Sequence, residues 1–397
     1  MNKTIPTLFS KKEDCCACGA CLNICPMNAI NFQEDECGFL YPDIDENLCV
    51  GCGKCQTVCN FQNSVCSNSP EETYAAVTKH TEILEHSASG GIFASFAITM
   101  LSDNGVVFGA EFTPDFEIRH CAINNTDELH KLQGSKYAQS NTERTYSEVK
   151  KLLDSNIKVL YSGTPCQIDG LKGFLGKEYE NLITVDIVCH GVPSNKMLKD
   201  YIAVLENRYG GKAKKFTFRD KGIGWGINGS VVINSKKYKL WQSASSYFYY
   251  FLKGWIYREN CYKCKYASEH RPADITIGDF WGIEKEHPEL IKKDGWNAAK
   301  GISLIVVNTE RGKHFLEKSK ENIDLQLSDF KSAASHNPQL SQPSEIGNRE
   351  VIIELYKKQG WIGLNKRFNE KIGFHKYSSQ IKSMIPQTLK EFLKRYL

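Results

Sequence analysis

The sequence lacks a long apolar run. Nowhere in its 397 residues do hydrophobic side chains approach the roughly 18 in succession that a membrane span needs. It also lacks an excess of one charge, with Lys plus Arg at 50 against Asp plus Glu at 46. A net charge of +4 is too small to make nucleic acid the main partner. Residues 1–12 lack the apolar core of a secretory signal, so a cytoplasmic chain is expected. Hydrophobic residues at 41% and charged residues at 24% exclude a disordered or collagen-like chain. The length predicts two to three domains.

Cysteine is what the sequence has in quantity. There are 16, of which eleven precede residue 70 and five are scattered beyond it. A reducing compartment does not maintain a disulfide framework, so this density points to metal. Cys15, Cys18, Cys21 and Cys25, followed by Pro26, give the spacing C-x2-C-x2-C-x3-C-P. Cys49, Cys52, Cys55 and Cys59 repeat it, with Asn60 in place of the proline. Three thiolates two residues apart on a tight loop wrap one face of a cubane, and the fourth cysteine of each run reaches the other cluster. One 4Fe–4S cluster is therefore expected on Cys15, Cys18, Cys21 and Cys59. A second is expected on Cys49, Cys52, Cys55 and Cys25. Zinc sites also use C-x2-C, but not four cysteines in this rhythm twice. Cys16, Cys37 and Cys66 fall outside the pattern and read as buried or spectator thiols. Residues 31–48 read as a hairpin or loop over the clusters, and 62–72 as a linker.

From Thr73 onward the pattern is strand, loop, helix. Strands are expected at Tyr74–Val77, Val106–Ala110, Val159–Tyr161 and Leu182–Val188. Helices are expected at Ile92–Ile98, Ile168–Leu175 and Lys196–Glu206. This is α/β order, in which ligands bind at the carboxyl ends of the strands. Gly224-Trp225-Gly226-Ile227-Asn228-Gly229 is a literal G-x-G-x-x-G, but an alternating strand follows where a dinucleotide fingerprint needs a helix. A hairpin or glycine-rich loop is expected there. Cys166 and Cys189 each follow an apolar strand, and Cys261 and Cys264 form a lone C-x2-C. These four match the requirement of a third cubane. They read equally as two core thiols with a zinc-binding or idle pair.

Several segments carry a resemblance. They are Ser89-Gly90-Gly91, Gly134-Ser135-Lys136-Tyr137, Ser162-Gly163-Thr164-Pro165-Cys166-Gln167, Asp186 through Ser194, and Ala273 through Gly282. In order from about residue 73 to 330 they resemble the coenzyme F-420 hydrogenase/dehydrogenase family of beta subunits, and residues 1–66 resemble a fused bacterial-type two-cluster ferredoxin domain. The resemblance implies a ferredoxin-like α+β domain at 1–66 and an α/β, non-Rossmann FAD-binding domain in two parts, 73–155 and 156–330. A helical C-terminal extension covers 331–397. It further implies FAD contacts at Ser89, Gly90, Gly91, Lys136, Tyr137, Thr164 and Pro165, with Lys136 as a cation for a phosphate or the reduced flavin. A third 4Fe–4S cluster on Cys166, Cys189, Cys261 and Cys264 would stand beside the flavin.

His190 is the candidate catalytic proton donor, with a loop histidine bonded to backbone as the competing assignment. The expected function is an iron–sulfur flavoprotein oxidoreductase. It would pass electrons between clusters and FAD, with hydride transfer to or from a small molecule or deazaflavin-type coenzyme. The alternative is a non-catalytic electron-transfer subunit that serves a redox partner protein, for instance in polysaccharide biosynthesis. No nucleic-acid or membrane partner is expected. At the C-terminus, Arg349–Trp361 and Ser378–Leu397 read as helices. The second has one apolar face, suited to the core or to a second subunit, with a membrane surface as the competing assignment.

Overall fold

A computed structural model describes residues 4–63, 68–292 and 296–373; Cys66 and Ser378–Leu397 lie outside the described residues. The strands run β1 Ile30–Glu34, β2 Leu40–Ile44, β3 Glu72–Thr78, β4 Val106–Phe112, β5 Ile118–Ile123, β6 Val159–Gly163 and β7 Leu182–Ile187. They continue with β8 Ala213–Thr217, β9 Gly229–Ile233, β10 Lys236–Leu240, β11 Ile275–Asp279, β12 Ser303–Val307 and β13 Ile323–Ser328. Eight of them form one sheet in the order β13-β3-β12-β11-β7-β6-β4-β5. The central four, β4, β6, β7 and β11, are parallel, and antiparallel strands close both sides. β3 enters this sheet from the segment before the helices of the larger module, while β12 and β13 enter from beyond residue 300. One sheet therefore spans both halves of that module.

The pleat divides the side chains between two layers. On β6, Leu160 joins the face packed by Phe96 and Ala97 of helix Ile92–Ser102 and by Phe315 and Leu316 of helix Glu310–Ser319. Val159 and Tyr161 point the other way, onto helices Thr145–Asp154 and Pro165–Leu175. Cys16, Cys18 and Ala20 belong to that second layer, so the cysteine-rich segment is built onto the sheet's cover rather than hung from a linker.

The glycine-rich loop leads into β9, which pairs with β10 through a turn at Asn234 and Ser235, both with positive φ. A strand, not a helix, begins at Gly229. Helix Arg349–Ile372 kinks at Gly360 (φ 59°) and buries Trp361, Leu364 and Phe368 among Tyr201, Tyr247 and Tyr250.

The cysteine segment meets helix Pro165–Leu175 on glycine. A Cβ at Gly170 would stand 2.6 Å from Cys18 Sγ, and one at Gly173 would stand 2.5 Å from the Val58 carbonyl. Side chains then tie onto backbone. Thr142 Oγ1 donates to the Cys18 carbonyl at 2.8 Å, Gln139 Nε2 to that of Cys16 at 2.9 Å and Arg144 Nη1 to that of Leu22 at 2.6 Å. Replacing Gly170 with Val is expected to cost roughly 1–3 kcal/mol, the usual penalty for overfilling a packed contact. A chemical-denaturation midpoint equal to wild type, with iron content also equal, would show that this close approach is not needed.

Candidate redox site

Twelve of the cysteines fall into three groups. Cys25, Cys49, Cys52 and Cys55 surround one cavity, together with Pro26 and Gly53. Cys15, Cys18, Cys21 and Cys59 form a second group: burial raises the Cys21 thiol well above its usual value, and the sulfurs of Cys18, Cys15 and Cys59 raise it further. Short helices begin after Gly19 and Gly53, whose φ values are 90° and 73°. Only glycine takes that conformation freely, and it turns amides inward. Amide N–H groups of Ala17, Ala29 and Gly51 donate to the sulfurs of Cys15, Cys25 and Cys49 at 3.4, 3.3 and 3.4 Å. These contacts are the kind that tune a cluster.

The third group comes from distant chain segments. Cys166 sits in the first turn of helix Pro165–Leu175, Cys189 follows β7, and Cys261 lies in the 3-10 turn Glu259–Lys263, with Cys264 next to it. Burial pushes Cys189 up to about 12, and the sulfurs of Cys166 and Cys264 add to it. Burial likewise pushes Cys264 up to about 11, with Cys166 adding to it. Cys261 is raised well above its usual value by burial and then by Cys189 and Cys264. Cys16 packs with Cys18 of the second group and Cys166 of this one; the mutual influence of the three sulfurs raises the Cys16 thiol and lowers the other two. Metal ligation would require each of these thiols to lose its proton, and the four per group match the ligand number of a cubane. Among the described residues, no three His, Cys, Asp or Glu side chains converge on a single-ion point.

A cavity of roughly 540 Å³ opens at the carboxyl ends of the parallel strands, and Cys189 is part of its wall. Ser89, Gly91, Lys136, Tyr137, Thr164 and His190 also line it, whereas Gly90 and Pro165 do not. Gly90 is packed beneath: its N–H donates to Ser303 Oγ at 2.9 Å, and a Cβ there would meet the Ala76 carbonyl at 2.5 Å. Pro165 is buried at the first position of its helix, where a proline ring costs no hydrogen bond. Thr164 caps that helix, and its hydroxyl lies 3.1 Å from Cys166 Sγ. Gly91 caps helix Ile92–Ser102, leaving amides at the cavity.

Lys136 is not a free cation. Its Nζ donates to the carbonyls of Lys131, Leu132 and Gln133 at 3.1, 3.1 and 2.9 Å, and burial pushes its pKa down to about 7. All three ammonium donors are therefore committed to a helix end. The ring of His190 packs against Phe251 at 6.4 Å and makes no hydrogen bond among the described residues, while its backbone carbonyl accepts from Ser344. Burial lowers its pKa, so the imidazole is neutral.

Other residues at the cavity are not among the contacts expected from the sequence. Arg219 makes a two-pronged ion pair with Asp279, one arm at 2.9 Å, and lies over the Trp281 ring. Trp225 donates to the same carboxylate at 2.6 Å and stacks on Trp281 at 4.7 Å. His120 is held by Ser140 Oγ at 2.7 Å and the Ser162 carbonyl at 2.9 Å. The carbonyl requires the proton on Nε2, and burial pushes the pKa down to about 4. An aspartate and a tryptophan just after an apolar strand are the one sequence signal for the Arg219 cluster; His120 has none.

Residues 157–333 match the family model that describes the C-terminal part of the coenzyme F420 hydrogenase/dehydrogenase beta subunit, and residues 14–63 match the 4Fe-4S dicluster domain. The chain thus carries the C-terminal domain of the F420 hydrogenase/dehydrogenase beta-subunit family behind a 4Fe-4S dicluster domain. It is similar to the F(420)H(2) dehydrogenase of Methanosarcina mazei, in the component named its F subunit, at 19% identity over 87% of this chain and 93% of the relative. It is 30% identical to a coenzyme F420-dependent sulfite reductase of Methanocaldococcus jannaschii over 40% of this chain, a match spanning 24% of that protein. A chain of the F420-reducing [NiFe] hydrogenase complex of Methanosarcina barkeri aligns at 16% identity, covering 77% of this chain and 92% of its own length, with a TM-score of 0.45. The chain is an iron–sulfur oxidoreductase related to the members of this family. Among the described residues no helix is long and apolar enough to cross a membrane.

Proposed function

We propose that this chain is an FAD-dependent iron–sulfur oxidoreductase whose cavity binds the flavin against a third cluster held by Cys166, Cys189, Cys261 and Cys264. The observation that carries this reading is Cys189, which belongs at once to the cavity wall and to the third thiol group. When bound, a flavin exchanges a hydride pair with a substrate and single electrons with clusters, which makes it the natural junction between the two. The chain's own residues do the rest. The strand-end loops form a pocket of the size that encloses a cofactor. Tyr137, backed by Phe251 at 4.7 Å, and Trp281, held by Trp225, give aromatic walls. The amides at Gly91 favour a phosphate. His190, neutral and with no hydrogen bond to its ring nitrogens among the described residues, can accept a proton at one nitrogen and release one at the other. The substrate proposed is a deazaflavin-type coenzyme, in line with the names of both relatives.

A second reading, an electron-transfer subunit serving a partner enzyme, is favoured by the outer thiol group. Cys52 is exposed there, beside Met27, Leu48 and Val50, which are 45%, 48% and 55% exposed. The relative from Methanosarcina mazei is itself named as a subunit.

Anaerobically purified chain, extracted with acid, is expected to release one FAD per chain, and a screen of donors and acceptors should find deazaflavin turnover without added protein. Turnover only with a partner favours the second reading. Folded, iron-complete chain that releases no flavin and binds none when FAD is added overturns both as far as the flavin is concerned.

A further inference from the structure

Three arginines are buried among the described residues. Arg219, at 8% exposure, faces Asp279, and Arg271, at 1%, faces Asp186. Arg258, at 0%, has no ion-pair partner among the described residues. Its Nε donates to the Cys15 carbonyl at 2.9 Å, and Nη1 approaches Gln139 Oε1 at 3.4 Å. Nη2 is buried without any hydrogen bond. The guanidinium lies 4.0 Å over the ring of Tyr41. A buried charge with no counter-charge is costly, and two of the three sites meet that cost with a carboxylate. At the third, the groups able to carry negative charge are sulfurs. Arg258 is tied to both thiol groups: its side chain holds the Cys15 carbonyl of the ferredoxin-type run, and its own carbonyl accepts from the Cys261 N–H of the strand-end group at 3.1 Å. Cys16 packs in one cluster with Cys18 and Cys166, a member of each group.

We infer that Arg258 is the shared counter-charge of two clusters, the one on Cys15, Cys18, Cys21 and Cys59 and the one on Cys166, Cys189, Cys261 and Cys264. The second of these rests on the function proposed above. Four thiolates bring more negative charge than a cubane core brings positive, and each reduction adds one electron to that excess. A buried guanidinium between two such sites favours the reduced form of both. The outer cluster, on Cys25, Cys49, Cys52 and Cys55, lies elsewhere: those thiols surround a cavity lined neither by Arg258 nor by Cys15, Gln139 or Tyr41, the residues its guanidinium touches. Net charge and local hydrogen bonding are among the quantities that set cluster potentials. Arg258 therefore moves two of the three potentials together and makes the inner pair easier to reduce than their own ligands would dictate.

The test is a redox titration of the full chain followed by electron paramagnetic resonance, in wild type, Arg258→Lys, Arg258→Gln and Gln139→Glu. Arg258→Gln should lower the reduced-to-oxidised ratio of both inner clusters at fixed potential at least tenfold, a shift of about 59 mV for a one-electron couple. The outer cluster should stay where it is. Arg258→Lys, which keeps the charge, should restore most of the shift, a rescue that a packing role would not predict. Gln139→Glu supplies the missing carboxylate while Arg258 remains in place. It should shift both clusters in the same direction as Arg258→Gln, and it keeps the question answerable if Arg258→Gln does not fold. Unchanged inner potentials in iron-complete variants overturn the inference, as does an equal shift of all three clusters. If wild type holds only about eight irons, the third-cluster reading has failed by itself. The cluster on Cys15 must still shift, and its failure to do so overturns the role of Arg258 separately.

Discussion

Anaerobically reconstituted chain is expected to carry about twelve irons, and Cys261→Ala about eight, as three cubanes and two require. Cys261 is the informative position because it lies in the 3-10 turn behind the cavity and is absent from the cavity wall. Its loss should therefore remove iron without removing flavin. The thiol is buried beside Cys189 and Cys264, which hold it protonated in the absence of metal. Loading must then release protons, so iron uptake by this group should slow as the pH of reconstitution falls. The flavin of Cys261→Ala should bleach with a chemical reductant, and the ferredoxin-type clusters should do so independently. Electron transfer between the two should be lost. Eight irons in wild type, unchanged by Cys261→Ala, would make these four thiols structural.

Arg271→Leu is expected to destabilise the chain by about 3–5 kcal/mol, the range for stranding one partner of a buried ion pair. Arg271 donates to Asp186 at 2.9 and 3.3 Å, to the Tyr266 carbonyl at 2.6 Å and to the Ile187 carbonyl at 2.9 Å. It thereby fastens the segment after Cys264 to the end of β7, just before Cys189. Without it, Asp186, whose pKa burial already raises, has no buried cation and must bind a proton or bear an unpaired charge. The denaturation midpoint should fall and the third thiol group should lose iron first. The double variant Asp186→Asn with Arg271→Leu should recover part of the stability, because neither charge is then left alone. A single variant as stable as wild type would show that the pair is dispensable.

Cysteine spacing is legible because the ligand geometry of a cubane is written along the chain within a few residues. The strands β4, β6 and β7 are legible because each is an apolar run bounded by turn residues. Arg258, His120 and the Arg219–Asp279 pair are not, because nothing in an arginine or a histidine announces that tertiary packing will exclude water from it. Cys16 reads as a buried or spectator thiol because it breaks the x2 rhythm, and the fold does bury it, packed with Cys18 and Cys166. The resemblance makes Lys136 a cation for a ligand, whereas in the fold a short helix ends at Leu132 and its bare carbonyls take the Lys136 amine. Gly170 and Gly173 carry a usable sign. Two glycines three apart weaken a helix unless something lies close against it, and here that something is the cysteine-rich segment.

The exposure of Cys52 gives the protein a graded sensitivity to air. Oxidation of sulfur follows access, and of the twelve thiols in the three groups Cys52 alone is exposed, the others being half-buried or buried, with Cys18 sealed in the second layer of the sheet. Dissolved oxygen should therefore strip the outermost iron first and leave the interior in working order. A preparation handled aerobically would keep its colour and its inner wiring but lose the terminal through which it meets the outside.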